Sequence, residues 1–299
     1  MADPARLKTV LGTYPHTAAL KSGDLRSDEV VLDFVEVEPV HKAFAPMVRR
    51  AEYDLSELAI ATALQAKAYG RPVVLLPAVV ASRLQRGCLI YHRAHGVVTP
   101  QDLVQARIGV RAYTQTTGLW VRAHLAEDYS LPIERMRWVT SDPAHVEEYA
   151  DPPIVEPMSG ERSLPDMLRD GEIQAAILGN DLPKGEEFAP VIADHVAVDR
   201  AWYIRHGFMP INHVVVVSQD VARRQPQAVR AAYALLKQAA AEAPVPADGM
   251  SRAMFGFERL RGPIEFTLET CARQLLLPRP MTVDEVFADA EAILGDLGA

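Results

Sequence analysis

The stretch RIGVRAYTQTTGLWVRAHLAEDY, Arg107 to Tyr129, opens on a short apolar strand pattern and closes on a helical one. Between the two lie five polar side chains, Tyr113, Thr114, Gln115, Thr116 and Thr117. A strand feeding a helix is the repeating unit of an α/β fold. Unpaired backbone N–H groups and the helix dipole make such a junction favourable for an anion, and the threonine hydroxyls can add donors. Plain capping accounts for the same residues equally well.

Outward from this unit the same alternation continues in both directions. LKTVLGTY, VVLDFVEVE, YDLSELAI, PVVLLPAVV and CLIYH read as strands on the N-terminal side, separated by helical stretches such as VHKAFAPMVRRAE and ATALQAKAYG. On the C-terminal side come RMRWVTS, the helix LPDMLRDGE, the strand IQAAILG and a long helical pattern in ARRQPQAVRAAYALLKQAAAEA. The Pro- and acid-rich EEYADPPIVEPMSGERS reads as a surface loop. Strands alternating with helices argue for mainly parallel sheets covered by helices. The second series is inserted in the first, which predicts two lobes with a ligand cleft between them.

Composition narrows the classes of partner. The chain has 299 residues, 49% of them hydrophobic, which is enough for one large domain or two lobes. A net charge of −8 argues against nucleic acid and against an anionic membrane as the main partner. No apolar run approaches the ~20 residues that span a bilayer. MADPARLKTVLGTYPHTAAL lacks a charged segment followed by a sustained apolar core, so the cytoplasm is the expected location. Cys88 and Cys271 are too few for a disulfide framework and have no zinc-ligand spacing.

Several residues could carry chemistry. Arg83 and Arg86 in SRLQRGCLIYHR stand just before a strand, and a guanidinium suits a carboxylate through two parallel hydrogen bonds. Solvated surface arginines are the bland alternative. Ser56 and Glu57 in EYDLSEL fall at a strand end, where parallel sheets present their binding crevice. Glu57 is a candidate acid or base, or simply an exposed helix-start carboxylate. His206 and His213 in HGFMPINHVVVV suit proton transfer near neutral pH, and a structural histidine is as good a reading of this segment alone. Tyr14 and His16 in GTYPHTAAL belong to the same group of strand-end polar residues. The chain has no GxSxG elbow, P-loop, HExxH or helix-opening GxGxxG, which disfavours serine hydrolases, P-loop nucleotide hydrolases, zinc proteases and the usual dinucleotide enzymes.

Taken together, GTYPHTAAL, EYDLSEL, SRLQRGCLIY, RIGVRAYTQTTGLWVRAHLAEDYSL, RWVTS, WYIRHGFMPINHVVVVS and MFGFERLRGPIEFTLE resemble the 4,5-dihydroxyphthalate decarboxylase family, in its order and over nearly the whole chain. The pattern formed by Tyr113, Thr116, Trp120 and Arg122 is the most specific of these, followed by GFMPINH. Gly87 and Cys88 depart from a His-Ser pair frequent in the family, and Gln174 from an acidic residue. The resemblance implies the two-lobed α/β fold of type II periplasmic-binding proteins. Residues 1–100 and 205–299 are expected to form a discontinuous first lobe and 101–204 the second.

The activity it implies is non-oxidative decarboxylation of a hydroxylated aromatic carboxylate. Arg83 and Arg86 would hold one carboxylate and Thr116 and Thr117 a second anion position, with Tyr14 and Ser56 also lining the substrate site. Tyr113 and Trp120 would pack on the ring, and His213 or Glu57 would donate the proton. No organic cofactor is evident and there is no preformed metal motif, while a divalent ion held by the substrate's own hydroxyls is compatible with this chemistry. The expected partner is a small aromatic carboxylate, with no nucleic acid and no membrane, and a homo-oligomer is allowed. The alternative is a non-catalytic solute-binding protein of the same fold for a small carboxylate.

Overall fold

Among the described residues of the computed structural model (3–160, 162–179 and 182–299), the apolar runs become strands of two separate six-stranded sheets. The chain lays down β1 (Ala5–Val10), β2 (Val30–Phe34), β3 (Leu55–Ala59) and β4 (Val73–Ser82) in a first unit. It then builds β5 (Leu89–His92), β6 (Arg107–Val110), β7 (Arg137–Thr140), β8 (Val155–Pro157), β9 (Ala175–Ile177) and β10 (Phe188–Pro190) in a second. It returns for β11 (Ile211–Ser218) and β12 (Met254–Phe255). The first unit ends at Arg83 and takes in Ile211–Ala272 and Leu277–Ala299; the second is Leu84–Pro210 with Arg273–Leu276.

The first sheet has the order β12-β4-β11-β3-β1-β2. β1 runs parallel to β2 and β3, while β11 enters antiparallel between β3 and β4. A strand with neighbours on both sides and both faces covered reads as a continuous apolar run, not an alternating one. That is why VVLLPAV of β4 and VVVV of β11 are buried throughout. The helix Pro226–Glu242 begins on a proline, whose missing N–H costs nothing there, and buries Val229, Ala232, Tyr233, Leu236 and Ala239 at helical spacing. The second sheet has the order β10-β5-β9-β6-β7-β8, with β6, β7, β8 and β9 in parallel pairs and β5 antiparallel to β9 and β10.

Three expectations are corrected here. The sheets are mixed, because β11 and β12 in one and β5 and β10 in the other run against their neighbours. Residues 84–100 and 205–210, expected with the first unit, belong to the second; β5 takes its hydrogen bonds from β9 and β10. The stretch read as a loop around residue 155 supplies the edge strand β8 alongside β7; Glu161, in the same stretch, lies outside the described residues. The short return of Arg273–Leu276 to the second unit was not anticipated from the sequence. It is anchored by buried Gln274, whose Nε2 donates to the Leu119 carbonyl at 2.9 Å and whose Oε1 accepts from Arg122 Nε at 2.6 Å.

The second unit contains a histidine that must stay neutral. His124 is fully buried against Trp120 and Trp202, and neither ring nitrogen has a hydrogen-bond partner among the described residues. Burial, and then the positive charges of Arg86, His206 and Arg205, push its pKa well below the ordinary 6.5. The unfolded chain therefore binds a proton below about pH 6.5 that the folded chain refuses, so this contribution is present above that pH and lost as pH falls. The urea midpoint of the wild type should drop between pH 7 and pH 5, with this residue contributing up to about 1.4 kcal/mol per pH unit. His124→Leu should flatten that slope, and an unchanged slope would remove His124 from the acid response.

Candidate active site

One edge of the first sheet gathers the polar residues. β1, β3 and β4 point their carboxyl ends to it and antiparallel β11 starts from it, so Gly12–His16, Glu57, Val80–Arg83 and His213 share that edge. Such an edge is where open α/β sheets bind ligands. His213 lies opposite Ala59 and Val215 opposite Glu57, which makes Glu57 and His213 a diagonal pair on one face. Register irregularities on the β4 side of β11 flank His213, a kind of local bulge that re-aims a side chain.

Glu57 is completely buried and fully bonded. Its Oε1 accepts from His213 Nδ1 at 2.7 Å and from the Tyr14 hydroxyl at 2.8 Å, and its Oε2 accepts the Gly12 N–H at 2.5 Å. Burial alone would raise the carboxyl pKa; the bonds from His213, Gly12 and Tyr14 outweigh it and hold the pKa below the ordinary value. Glu57 is therefore a carboxylate at neutral pH, and it fixes the proton of His213 on Nδ1. The other nitrogen, Nε2, has no partner among the described residues and is not sealed from solvent. Phe44 meets the imidazole edge-on at 5.1 Å between ring centres. The imidazole is thus held on one side and open on the other.

Tyr14 is placed by a tight turn. Thr17 Oγ1 donates to the Gly12 carbonyl and accepts the Tyr14 N–H, both at 2.8 Å, and the Tyr14 carbonyl accepts from Ala18 at 2.9 Å. The Tyr14 ring lies so close to Gly12 that a Cβ there would sit 2.8 Å from it, so any other residue would have to shift the ring. Burial first, and the Glu57 charge second, push the phenol pKa far up, so Tyr14 remains a donor to Glu57. Its ring stacks on that of His16 at 5.3 Å between centres. His16 is buried, and its Nε2–H donates to the Val80 carbonyl at 2.8 Å.

Of the residues expected at the site, Tyr14, Glu57 and His213 are in direct contact, and Arg83 stands one residue beyond β4 at the same edge. Ser56 does not join them. It precedes Glu57 in β3, so its side chain faces the other side of the sheet, where the buried hydroxyl donates to a backbone carbonyl, that of Glu57, at 2.8 Å.

The others belong to the second unit. Arg86 is 1% exposed and lies between Asp199, at 2.5 Å from Nη1, and Asp128 on Nη2. The guanidinium expected to clamp a ligand carboxylate is occupied by two protein carboxylates. Tyr113 and Trp120 are buried as well: Arg122 lies 4.0 Å over the Tyr113 ring, and Trp120 packs edge-to-face with Trp202 and Phe208. Neither ring has a face open for stacking on a ligand. Thr116 and Thr117 are buried in the first turn of the helix Thr116–Tyr129. His206 stacks on Trp202 at 4.2 Å with Nε2 at 2.7 Å from Glu127. Among the described residues, no group of three or more His, Cys, Asp and Glu side chains could hold a metal ion, and no helix is long and apolar enough to cross a membrane.

Two mixed α/β units, the second interrupting the first along the chain, give the type II periplasmic-binding-protein-like fold. The alkanesulfonate-binding protein SsuA of Xanthomonas axonopodis pv. citri, solved bound to MOPS, shares this fold with a TM-score of 0.59 at 15% identity, over 96% of this chain and 99% of that one. The chain belongs to the 4,5-dihydroxyphthalate decarboxylase family. It is 32% identical over 181 residues to a 4,5-dihydroxyphthalate decarboxylase of Pseudomonas putida, covering 57% of this chain and 69% of that protein. It is 29% identical over 236 residues to a 4,5-dihydroxyphthalate decarboxylase of Comamonas testosteroni, covering 74% of this chain and 70% of that protein. No family model matches the chain.

Proposed function

We propose that this protein is a carboxy-lyase that removes CO₂ non-oxidatively from a hydroxylated aromatic carboxylate of the dihydroxyphthalate type, with His213 as the proton donor. The observation that carries the reading is the bond of His213 Nδ1 to buried Glu57 at 2.7 Å, which leaves Nε2 as the outward nitrogen. Membership of a family whose curated relatives are named decarboxylases supports the reaction type.

A ring hydroxyl conjugated with the carboxylate-bearing carbon feeds electron density to that carbon. As an imidazolium, His213 transfers the Nε2 proton to it, forming the new C–H bond. The C–C bond to the carboxylate then breaks, its electron pair returns to the ring to restore aromaticity, and CO₂ leaves. His213 regains its proton from solvent. Glu57 stays ionised throughout and holds the imidazole in orientation, the role of a carboxylate behind a general-acid histidine. Arg83, at the same sheet edge, meets a substrate carboxylate in this scheme.

The purified chain given 4,5-dihydroxyphthalate should release one CO₂ per substrate with no consumption of dioxygen. Oxygen uptake matched to turnover would replace the scheme with an oxidative one.

A further inference from the structure

His16 has a feature that a purely structural histidine does not need. One ring nitrogen is committed, since a backbone carbonyl can only accept, so Nε2 carries a proton and donates it to Val80 at 2.8 Å. In the neutral ring this leaves Nδ1 as a bare acceptor. Nδ1 has no hydrogen-bond partner among the described residues, yet it is not one of the polar atoms sealed from solvent, although His16 as a whole is only 8% exposed. A ring buried on most sides, with its single unengaged polar atom open, presents an acceptor to whatever approaches. Stacking by Tyr14, with the two ring planes 10° apart, holds that orientation.

The neighbourhood connects this acceptor to the proton donor. Val80, which receives the His16 proton, is next to Ala81, and Ala81 pairs with His213 across the β4–β11 ladder. Tyr14, stacked on His16, gives its hydroxyl to the same Glu57 oxygen that holds His213. Two imidazoles therefore flank one tyrosine at one sheet edge. His213 has its open nitrogen opposite a carboxylate-held N–H, and His16 has its open nitrogen opposite a carbonyl-held N–H.

We propose that His16 recognises and activates a hydroxyl of the substrate: Nδ1 accepts the hydrogen bond of a phenolic O–H and takes its proton as the ring carbon is protonated by His213. This deepens, and rests on, the decarboxylase reading. The O–H electron pair moves into the ring as the proton passes to Nδ1, so the protonated intermediate is a neutral dienone and not a cation. After CO₂ departs, the phenolate oxygen takes the proton back from Nδ1, leaving His16 unchanged over the cycle. Burial lowers the pKa of His16, which keeps the ring neutral and ready to accept, while the charge of Glu57 partly offsets the cost of the transient imidazolium. A pair of like groups whose surroundings suit them to opposite proton duties is what such a reaction requires.

His16→Gln isolates the claim, because the glutamine Nε2 reproduces the donor to Val80 and supplies no acceptor at the Nδ1 position. The measurement is calorimetric binding of 4,5-dihydroxyphthalate and of phthalate, with and without H16Q, in a His213→Asn background that slows turnover. The parent should prefer the dihydroxylated ligand, and H16Q should shrink that preference by about three- to tenfold while leaving phthalate affinity within about twofold. Retained phthalate binding reports an intact fold. The proposal is overturned if the preference is unchanged, if both ligands weaken together as for a structural role, or if the parent shows no preference or no binding. CO₂ release by the wild type is scored separately. A hydroxyl preference that depends on His16 in a chain releasing no CO₂ would sink the decarboxylase reading and leave the recognition role standing.

Discussion

His213→Asn is expected to lower turnover by about 10²–10⁴-fold while changing ligand affinity little, the range for loss of a general acid. The asparagine amide nitrogen takes the place of Nδ1, so it can still donate to Glu57 as His213 does at 2.7 Å. What disappears is Nε2, the nitrogen that faces outward. Because the buried carboxylate keeps a partner, stability should be nearly preserved and the loss should fall on kcat. His213→Leu is the informative contrast. It strips Glu57 of that bond and should lower stability as well, because a buried charge loses a donor. If the Asn variant turns over at the wild-type rate in steady-state assays, His213 is not the donor.

Arg86→Gln should act on folding and not on the ligand. The guanidinium lies between Asp199, itself 2% exposed, and Asp128. Removing one member of a buried charge network leaves the others uncompensated, at a cost of about 3–5 kcal/mol. Burial already pushes the Asp199 pKa up against the opposing pull of Arg86, so without the arginine it should rise further. The urea midpoint should fall accordingly, while the folded fraction binds an aromatic dicarboxylate with unchanged affinity. A variant that keeps its midpoint but binds ligand tenfold or more weakly would return Arg86 to the substrate site.

These expectations show which parts of the molecule were legible in the sequence. Alternating apolar strands and helices marked both units, because burial on both faces of a central strand demands an unbroken run such as VVVV in β11. The motif pattern marked the family. Direction and pairing were not legible: that β11 enters antiparallel between β3 and β4 depends on long-range partners, and only that insertion brings His213 to Glu57, 156 residues earlier. Arg86 misled for the same reason, since its two aspartates lie 42 and 113 residues further along the chain. The most specific pattern misled differently. Tyr113 and Arg122 lock together at a helix start, with Arg122 Nη2 donating to the Tyr113 carbonyl at 2.6 Å, so the motif there records packing. His16 was visible only as one of several strand-end polar residues. The signal that separates it, one nitrogen bonded and one open, exists only in three dimensions.

The central claim is that a proton delivered at His213 replaces a carboxylate on an aromatic ring. The most direct test is turnover of 4,5-dihydroxyphthalate in D₂O, with CO₂ and the ring product counted together, by the wild type and by His213→Asn. The wild type should yield equal amounts of CO₂ and a dihydroxybenzoate carrying one deuterium at the vacated carbon, and the variant should yield both slower by the same factor. Tight binding of the acid with no CO₂ over hours, with and without added divalent metal, would contradict the account and make this chain a carrier of small carboxylates.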